Sequence, residues 1–241
     1  MEAKKSIRIV AFLAVAAVAV FVAVLFLNRH IDSKNPGAAA TFETVEIPAN
    51  QQSFSVPNQP VRGKEDFFEG TGDGAMDVIV YEDYADPFSA DLAATVEKAA
   101  GEFKDTVNFV YRPYAVSGSS LSLKAAQGVA CAWELGKGVE YRKEAFAAAR
   151  DSKLSEESLT VIAQKLGVDM ETFNACLTNG EKKERIEGLV TAADNFSVTG
   201  APTIFVGDEM IVGARPYENF TDSNGDEIEG LGQVISRKVQ N

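Results

Sequence analysis

The sequence predicts an α/β domain with the element order β-α-β, then a helical block, then β-β and a final α. Two β-branched runs, Met76–Tyr81 and Val107–Tyr111, flank a segment with helical spacing. A long helical stretch then precedes a hairpin pattern at residues 202–213. Because a helix-length crossover joins the first two strands, we expect them to pair in parallel with right-handed connectivity.

A membrane anchor is predicted before this domain. Residues 9–27 are nineteen consecutive apolar positions, and a helix of that length spans about 28 Å, close to the bilayer core. Residues 1–8 carry three basic side chains, which favours a cytoplasmic N-terminus. We therefore expect a single-pass protein of the cell membrane with an extracytoplasmic soluble domain. A cleaved signal peptide is the alternative, and it would also export the domain.

A linker is predicted at residues 28–74, which are rich in Pro, Gly, Asn, Gln and Ala. Within it, Phe42–Ile47 and Phe54–Val56 alternate apolar and polar residues, so either could add an edge strand. The folded domain is then expected over residues 75–241.

The first strand leads directly into the first helix. Asp86 is a favourable N-cap and Pro87 suits the first helical position. Phe88 begins a helical spacing of apolar residues, continued by Leu92, that predicts one buried face. Ser89 is expected to be a solvated residue of the first turn.

The helical block is predicted over residues 119–197. Glycines divide it, and Ser155 and Asp169 are predicted N-caps followed by Glu in each first turn. A strand at Pro202–Val206, a returning strand and a helix at Leu231–Val239 complete the domain.

Three stretches resemble a known family. Val80 to Ser89 reads Val-Tyr-Glu-Asp-Tyr-Ala-Asp-Pro-Phe-Ser, which resembles a strand followed by the motif Asp-aromatic-x-Cys-Pro-Tyr-Cys. Residues 198–206 resemble a Gly-x-Pro-Thr strand start, and residues 125–131 and 173–177 resemble two helices of a helical insertion. Together they are similar to the DsbA-like branch of the thioredoxin superfamily. The resemblance covers Gly72 to Val239 and implies a thioredoxin-like fold with a helical insertion.

The family's catalytic cysteines are missing. The resemblance places them at Asp86 and Ser89, whereas Pro87 and Phe88 keep the intervening residue types. Thiol-disulfide exchange needs a thiolate at the helix N-terminus and a second cysteine to resolve the mixed disulfide. We therefore expect a degenerate site without catalytic residues, which favours a protein that is not an enzyme over one that keeps the family's oxidoreductase activity.

The resemblance also implies a surface that binds peptides. Its residues would be Phe88, Ala201, Pro202 and Thr203. If the bond before Pro202 is cis, the backbone of Ala201 would be exposed to pair with an extended peptide. An ordinary trans proline at the start of a strand is the alternative.

The chain's two cysteines, Cys131 and Cys176, lie on two predicted helices of the insertion. In an exported protein such a pair usually bonds, so we expect a structural disulfide. The alternatives are two buried free thiols or a redox-active pair that has moved from the usual site.

Composition excludes several functions. A net charge of -12 without basic clusters argues against a nucleic-acid partner. The only histidine, His30, adjoins the predicted anchor, which excludes a His-based triad or His-ligated zinc in the soluble domain. No cofactor is predicted.

A weak calcium motif lies near the C-terminus. Asp222, Asn224 and Asp226 place oxygen ligands at alternating positions, as a calcium loop does. However, Glu227 stands where such loops need glycine, and an acidic Asn-Gly turn explains the same residues. We therefore predict no metal site.

These observations favour a membrane-anchored, redox-inactive thioredoxin-fold protein that acts as a peptide-binding, protein-binding, chaperone or assembly module. One alternative is a thiol-disulfide oxidoreductase that uses Cys131 and Cys176. A second is a structural ectodomain of an envelope complex. The expected partner is an extended peptide or protein, and the sequence does not predict an oligomeric state.

Overall fold

The computed structural model describes residues 53–72, 75–115 and 118–240. The predicted membrane helix at 9–27, the residues before it and Phe42–Ile47 lie outside the described residues. Across the three described ranges, no helix is both long and apolar enough to cross a membrane.

The domain contains eight strands, seven α-helices and one short 3-10 helix within the described residues. In chain order these are β1 (Ser53–Ser55), β2 (Phe67–Glu69), β3 (Met76–Glu82), α1 (Pro87–Glu102), β4 (Val107–Pro113), α2 (Ser120–Glu134), α3 (Gly138–Arg150), α4 (Glu156–Lys165), α5 (Met170–Thr178), α6 (Glu181–Ala193), the 3-10 helix (Asp194–Phe196), β5 (Thr203–Val206), β6 (Glu209–Val212), β7 (Phe220–Thr221), β8 (Glu227–Ile228) and α7 (Leu231–Val239).

Six strands form the main sheet in the order β1-β6-β5-β3-β4-β2. β3 pairs in parallel with β4 and antiparallel with β5, so the predicted β-α-β unit is confirmed. Successive side chains of β3 point to opposite faces of the sheet, so they pack into two different core layers. Val78 and Val80 pack in the cluster that contains residues of α1 and α7, whereas Ile79 and Tyr81 pack with Ala193 of α6.

The folded domain begins earlier than residue 75, where the sequence placed its start. β1 pairs with β6 at one edge of the sheet, as the alternation at Phe54–Val56 predicted, and β2 pairs with β4 at the other. Arg112 holds this segment by donating to Asp66 and to the Val61 carbonyl, both at 2.7 Å. The strand β2 was missed because three residues carry too little periodicity, and distant residues stabilise it.

The helical block runs from Ser120 to Phe196, close to the predicted 119–197. The predicted N-caps are confirmed, because Ser155 accepts the Ser158 N–H and Asp169 accepts the Thr172 N–H. The predicted disulfide is also present. It joins α2 to α5 with a Cα–Cα distance of 5.9 Å.

The hairpin and α7 follow the prediction, and a two-stranded sheet of β7 and β8 lies between them. The Asp222 carboxylate accepts the N–H groups of Asn224 and Asp226, each at 2.9 Å, and so closes the turn. Among the described residues, no group of three or more His, Cys, Asp or Glu side chains could hold a metal ion.

Candidate functional site

The candidate site lies where β3 ends and α1 begins. Asp86 adopts an extended backbone conformation before the helix, and its carboxylate accepts the Ser89 N–H at 2.6 Å. Pro87 occupies the first helical position, where no N–H is needed for the helix. The predicted N-cap is therefore confirmed, and Asp86 uses a carboxylate where the family motif has a thiol.

Ser89 is buried, not solvated as the sequence predicted. Its side chain is 1% exposed, and its hydroxyl accepts the Asp83 N–H at 3.2 Å. The reason is its helical phase, since Ser89 lies one turn before Leu92 on the buried face. The hydroxyl thereby ties the first turn of α1 to the end of β3.

Phe88 points away from the core. Leu92 is buried as predicted, but Phe88 is 62% exposed, so its assignment to the buried face is wrong. The neighbouring Ser89 takes the inward position of the first turn. An aromatic ring is consequently presented to solvent beside the Asp86 carboxylate.

The segment before β5 lies at the end of the sheet where β3 stops, because Tyr81 near the end of β3 pairs with Thr203 at the start of β5. The Ala201–Pro202 peptide bond is cis, as the resemblance implied. The Thr203 hydroxyl donates to the Gly200 carbonyl, and the Pro202 carbonyl accepts the Gly213 N–H, both at 2.8 Å.

The structure thus brings the predicted binding residues to one end of the sheet, but it does not expose all of them. Pro202 and Thr203 are buried and Ala201 is half-buried. Their roles differ accordingly. Phe88 and Ala201 can contact a partner, whereas Thr203 shapes the turn from within.

A buried ion pair beneath the site was missed by sequence reasoning. Glu82, the last residue of β3, accepts two hydrogen bonds from Arg142 of α3, at 2.7 and 2.6 Å. Both side chains are almost completely buried, and the guanidinium lies 4.1 Å from the centre of the Tyr111 ring. Burial acts to lower the pKa of Arg142, but the Glu82 carboxylate raises it well above its ordinary value. The only sign of this ion pair in the sequence was a charged residue, Glu82, at the end of an apolar strand.

Tyr84 extends this buried layer. The centre of its ring lies 5.2 Å from that of Phe146, which is on α3 like Arg142. In the part of the chain that the structure describes, its buried hydroxyl has no hydrogen-bond partner. Burial, together with the nearby Glu82 carboxylate, raises the pKa of Tyr84 well above its ordinary value. The turn of the candidate site therefore rests on α3.

A groove opens beside the site, after β4. The Tyr114 N–H donates to the Glu82 carbonyl at 2.8 Å, which places the start of this loop next to the end of β3. The groove, of about 470 Å³, lies between the start of α2 and α6. Its apolar lining consists of Ala115, Leu123, Ile186 and Val190, and its polar lining includes Ser119, Ser120, Glu187 and Thr191.

The site lacks a sulfur nucleophile. The sequence has two cysteines, Cys131 and Cys176, and they form the disulfide between α2 and α5. Asp86 and Ser89 are engaged in holding the turn. The groups of the site that a partner could contact are the exposed ring of Phe88, the partly exposed carboxylate of Asp86 and the half-buried backbone at Ala201.

Comparison with solved structures gives the same fold. A thioredoxin-like oxidoreductase from Silicibacter pomeroyi matches with a TM-score of 0.60 and 21% identity, over 74% of this chain and 95% of that chain. A periplasmic thioredoxin-like protein from Salmonella enterica serovar Typhimurium matches with a TM-score of 0.59 and 20% identity, over 78% of this chain and 95% of that chain. The thiol-disulfide exchange protein alpha-DsbA2 from Wolbachia pipientis matches with a TM-score of 0.55 and 24% identity, over 72% of this chain and 84% of that chain.

Two curated proteins are related in sequence. The Na(+)/H(+) antiporter NhaA 3 of Salinispora tropica is 25% identical over 155 residues, which cover 61% of this chain and 22% of the antiporter. Protein YwbO of Bacillus subtilis is 30% identical over 107 residues, which cover 43% of this chain and 54% of YwbO. The chain therefore spans less than two thirds of the length of either relative.

The family assignment depends on a longer match. The model of the DSBA-like thioredoxin domain matches residues 77–223, which include the turn at Asp86, the helical block and the cis proline. This match covers more than half of the chain. The chain therefore belongs to the DSBA-like thioredoxin domain family.

Proposed function

We propose that this protein binds extended peptide segments through a thioredoxin-fold domain that has no dithiol redox activity. Residues 9–27 would hold it at a membrane, with the domain outside the cytoplasm. The observation that carries the proposal is the replacement of both site cysteines, by Asp86 and Ser89, in a frame that is otherwise complete. Such a surface would serve in the chaperoning or the assembly of other proteins.

The positions of the polar groups support the loss of redox activity. A carboxylate at residue 86 cannot attack a disulfide, and the hydroxyl of Ser89 is buried. The alternative, thiol-disulfide exchange through Cys131 and Cys176, requires that a thiolate reach one of the sulfurs. Cys131 is completely buried and Cys176 is partly buried, so such a thiolate would have to attack Cys176.

Restoring the cysteines tests this part of the proposal. We expect the full-length protein to reduce insulin at the background rate, and D86C/S89C to exceed it by at least about tenfold, because a thiolate at the helix N-terminus is the reacting group. S89C alone should remain near background, since the first cysteine is absent. Wild-type activity that disappears in C131S/C176S would instead establish the alternative.

The exposed ring supports peptide binding. Aromatic side chains carry much of the binding energy at protein interfaces, since they remove a large apolar area from water. Phe88 and Ala201 lie at the same end of the sheet, since Tyr81 pairs with Thr203, and an extended peptide can pair with such a backbone. The groove at Ala115 and Leu123 would accept an apolar side chain of the same peptide.

A matched pair of variants tests the binding surface. F88A should weaken binding of a reduced and alkylated unfolded protein by about tenfold, the loss expected for one buried aromatic contact. V161A is the control, because Val161 is 54% exposed on α4, away from the site. Binding can be measured by fluorescence anisotropy. Equal affinities of F88A, V161A and wild type would favour a structural ectodomain over a peptide-binding module.

A further inference from the structure

A second pocket lies within the helical block. It has a volume of about 260 Å³ between α2, α4 and α5, and it shares no lining residue with the groove beside the candidate site. An apolar cavity of about 150 Å³ can hold a benzene molecule. This pocket therefore has room for a ring that carries a small substituent.

One wall of the pocket carries a buried amide. Gln127 of α2 lines the pocket and is 9% exposed. Within the described ranges, its side chain has no hydrogen-bond partner. An amide presents a donor beside an acceptor, and burying both without a partner destabilises a fold. The Gln127 amide is therefore available to a bound molecule.

The rest of the wall is mainly apolar. Leu159 of α4 and Phe173 of α5 are buried, and Leu177 of α5 is partly buried. The ring centres of Tyr141 and Phe173 lie 5.8 Å apart. Because the Tyr141 hydroxyl donates to the Leu159 carbonyl at 2.9 Å, Tyr141 contributes mainly an aromatic surface. These side chains suit the ring of a small ligand.

The charges that line the pocket are balanced. Lys124 of α2 and Glu156 of α4 form an ion pair with each other. Both side chains are about half exposed, so the pair lies on the solvent side of the pocket. A charged ligand would compete with this pair and would lose its hydration. An uncharged molecule avoids both costs.

The disulfide holds the wall that α5 provides. Cys176 lies between Phe173 and Leu177 along α5, and its bond to Cys131 ties this helix to α2. Phe173 is the one buried residue of α5, so the helix has few other buried contacts. The shape of the pocket therefore depends on the intact bond.

We propose that this pocket binds a small uncharged molecule that combines an apolar ring with an amide, or with a similar donor and acceptor side by side. The ring would lie against Leu159 and Phe173, and the polar group would pair with the amide of Gln127. This site is independent of the proposed peptide-binding surface, because the two share no residue.

Three probes of nearly equal shape test the chemistry of the ligand. Benzamide carries the amide, acetophenone lacks its donor, and benzoate carries a charge. We expect benzamide to bind the full-length protein about fivefold more tightly than acetophenone, the gain from one hydrogen bond. Benzoate should bind at least about tenfold more weakly than benzamide, because its charge would be buried without a partner. Titrations followed by protein NMR would measure the affinities.

A matched pair of glutamine variants identifies the amide responsible. Q127M should bind benzamide and acetophenone equally and should melt at the same or a higher temperature than wild type, since the buried amide is gone. Q164M is the control, because Gln164 is exposed on α4 and does not line the pocket. It should retain the preference for benzamide. C131S/C176S should bind benzamide more weakly, because α5 is no longer tied to α2.

Two results would overturn the proposal. The first is the absence of saturable binding of either uncharged probe to the wild-type protein, which would indicate a pocket filled by water. The second is a preference for benzamide that persists in Q127M, which would place the probe elsewhere. Neither result would affect the proposed peptide binding, which F88A tests separately.

Discussion

Replacing Arg142 by methionine should lower the free energy of unfolding by about 3–5 kcal/mol, because it leaves the Glu82 carboxylate buried without its partner. Glu82 receives both of its short hydrogen bonds from this guanidinium, and neither side chain reaches solvent. Denaturant titration of the full-length protein, monitored by the fluorescence of Trp133, would measure the change.

The double variant separates loss of the pair from loss of packing. E82Q/R142M removes both charges and should recover much of the stability, since apolar replacement of a buried ion pair is often tolerated. K137M is a matched control, because the Lys137–Glu140 pair is exposed and its loss should cost less than about 1 kcal/mol. The interpretation fails if R142M and K137M destabilise the protein equally. If R142M does not fold, E82Q supplies the measurement.

Loss of the pair should also disturb the candidate site. Glu82 immediately precedes Asp83, whose N–H donates to the Ser89 hydroxyl, so α3 is linked to the first turn of α1 through a short stretch of backbone. The orientation of Phe88 then depends on a contact with the helical block. This is the physical route by which the insertion supports the proposed peptide-binding surface.

Removing the disulfide should have an effect of similar size. C131S/C176S should lose about 4 kcal/mol, because the bond closes a long loop in the unfolded chain and joins residues 45 positions apart. It connects α2 with α5, the latter a helix of nine residues with one buried side chain, Phe173. We therefore expect α5 to be the first helix of the block to open.

Denaturation with and without reductant provides the measurement. Reductant should lower the unfolding midpoint of the wild-type protein and leave C131S/C176S unchanged. Hydrogen exchange would show whether the loss of protection is concentrated in α5. An unchanged wild-type midpoint after verified reduction of the bond would contradict a stabilising role.

Local patterns were sufficient for much of the fold. The β-branched runs, the cap at Asp86 and the glycines between helices are short-range signals, and the elements they predicted are present. The pairing of Cys131 with Cys176 followed from there being two cysteines in a domain that the sequence predicts to be exported. The absence of a site thiol was evident from Asp86 and Ser89 alone.

Tertiary structure decided what local patterns could not. Glu82 and Arg142 are 60 positions apart, and nothing in either neighbourhood indicates that they meet. The start of the domain depends on β1 and β2, which are stabilised by strands far along the chain.

The sequence by itself therefore determined the order of the elements and the chemistry missing from the site, because periodicity, capping and residue type are local properties. Only the tertiary structure decided that Ser89 faces inward, that Phe88 faces solvent and that Glu82 is buried with a partner. Burial depends on what packs against a residue, and those contacts come from distant parts of the chain.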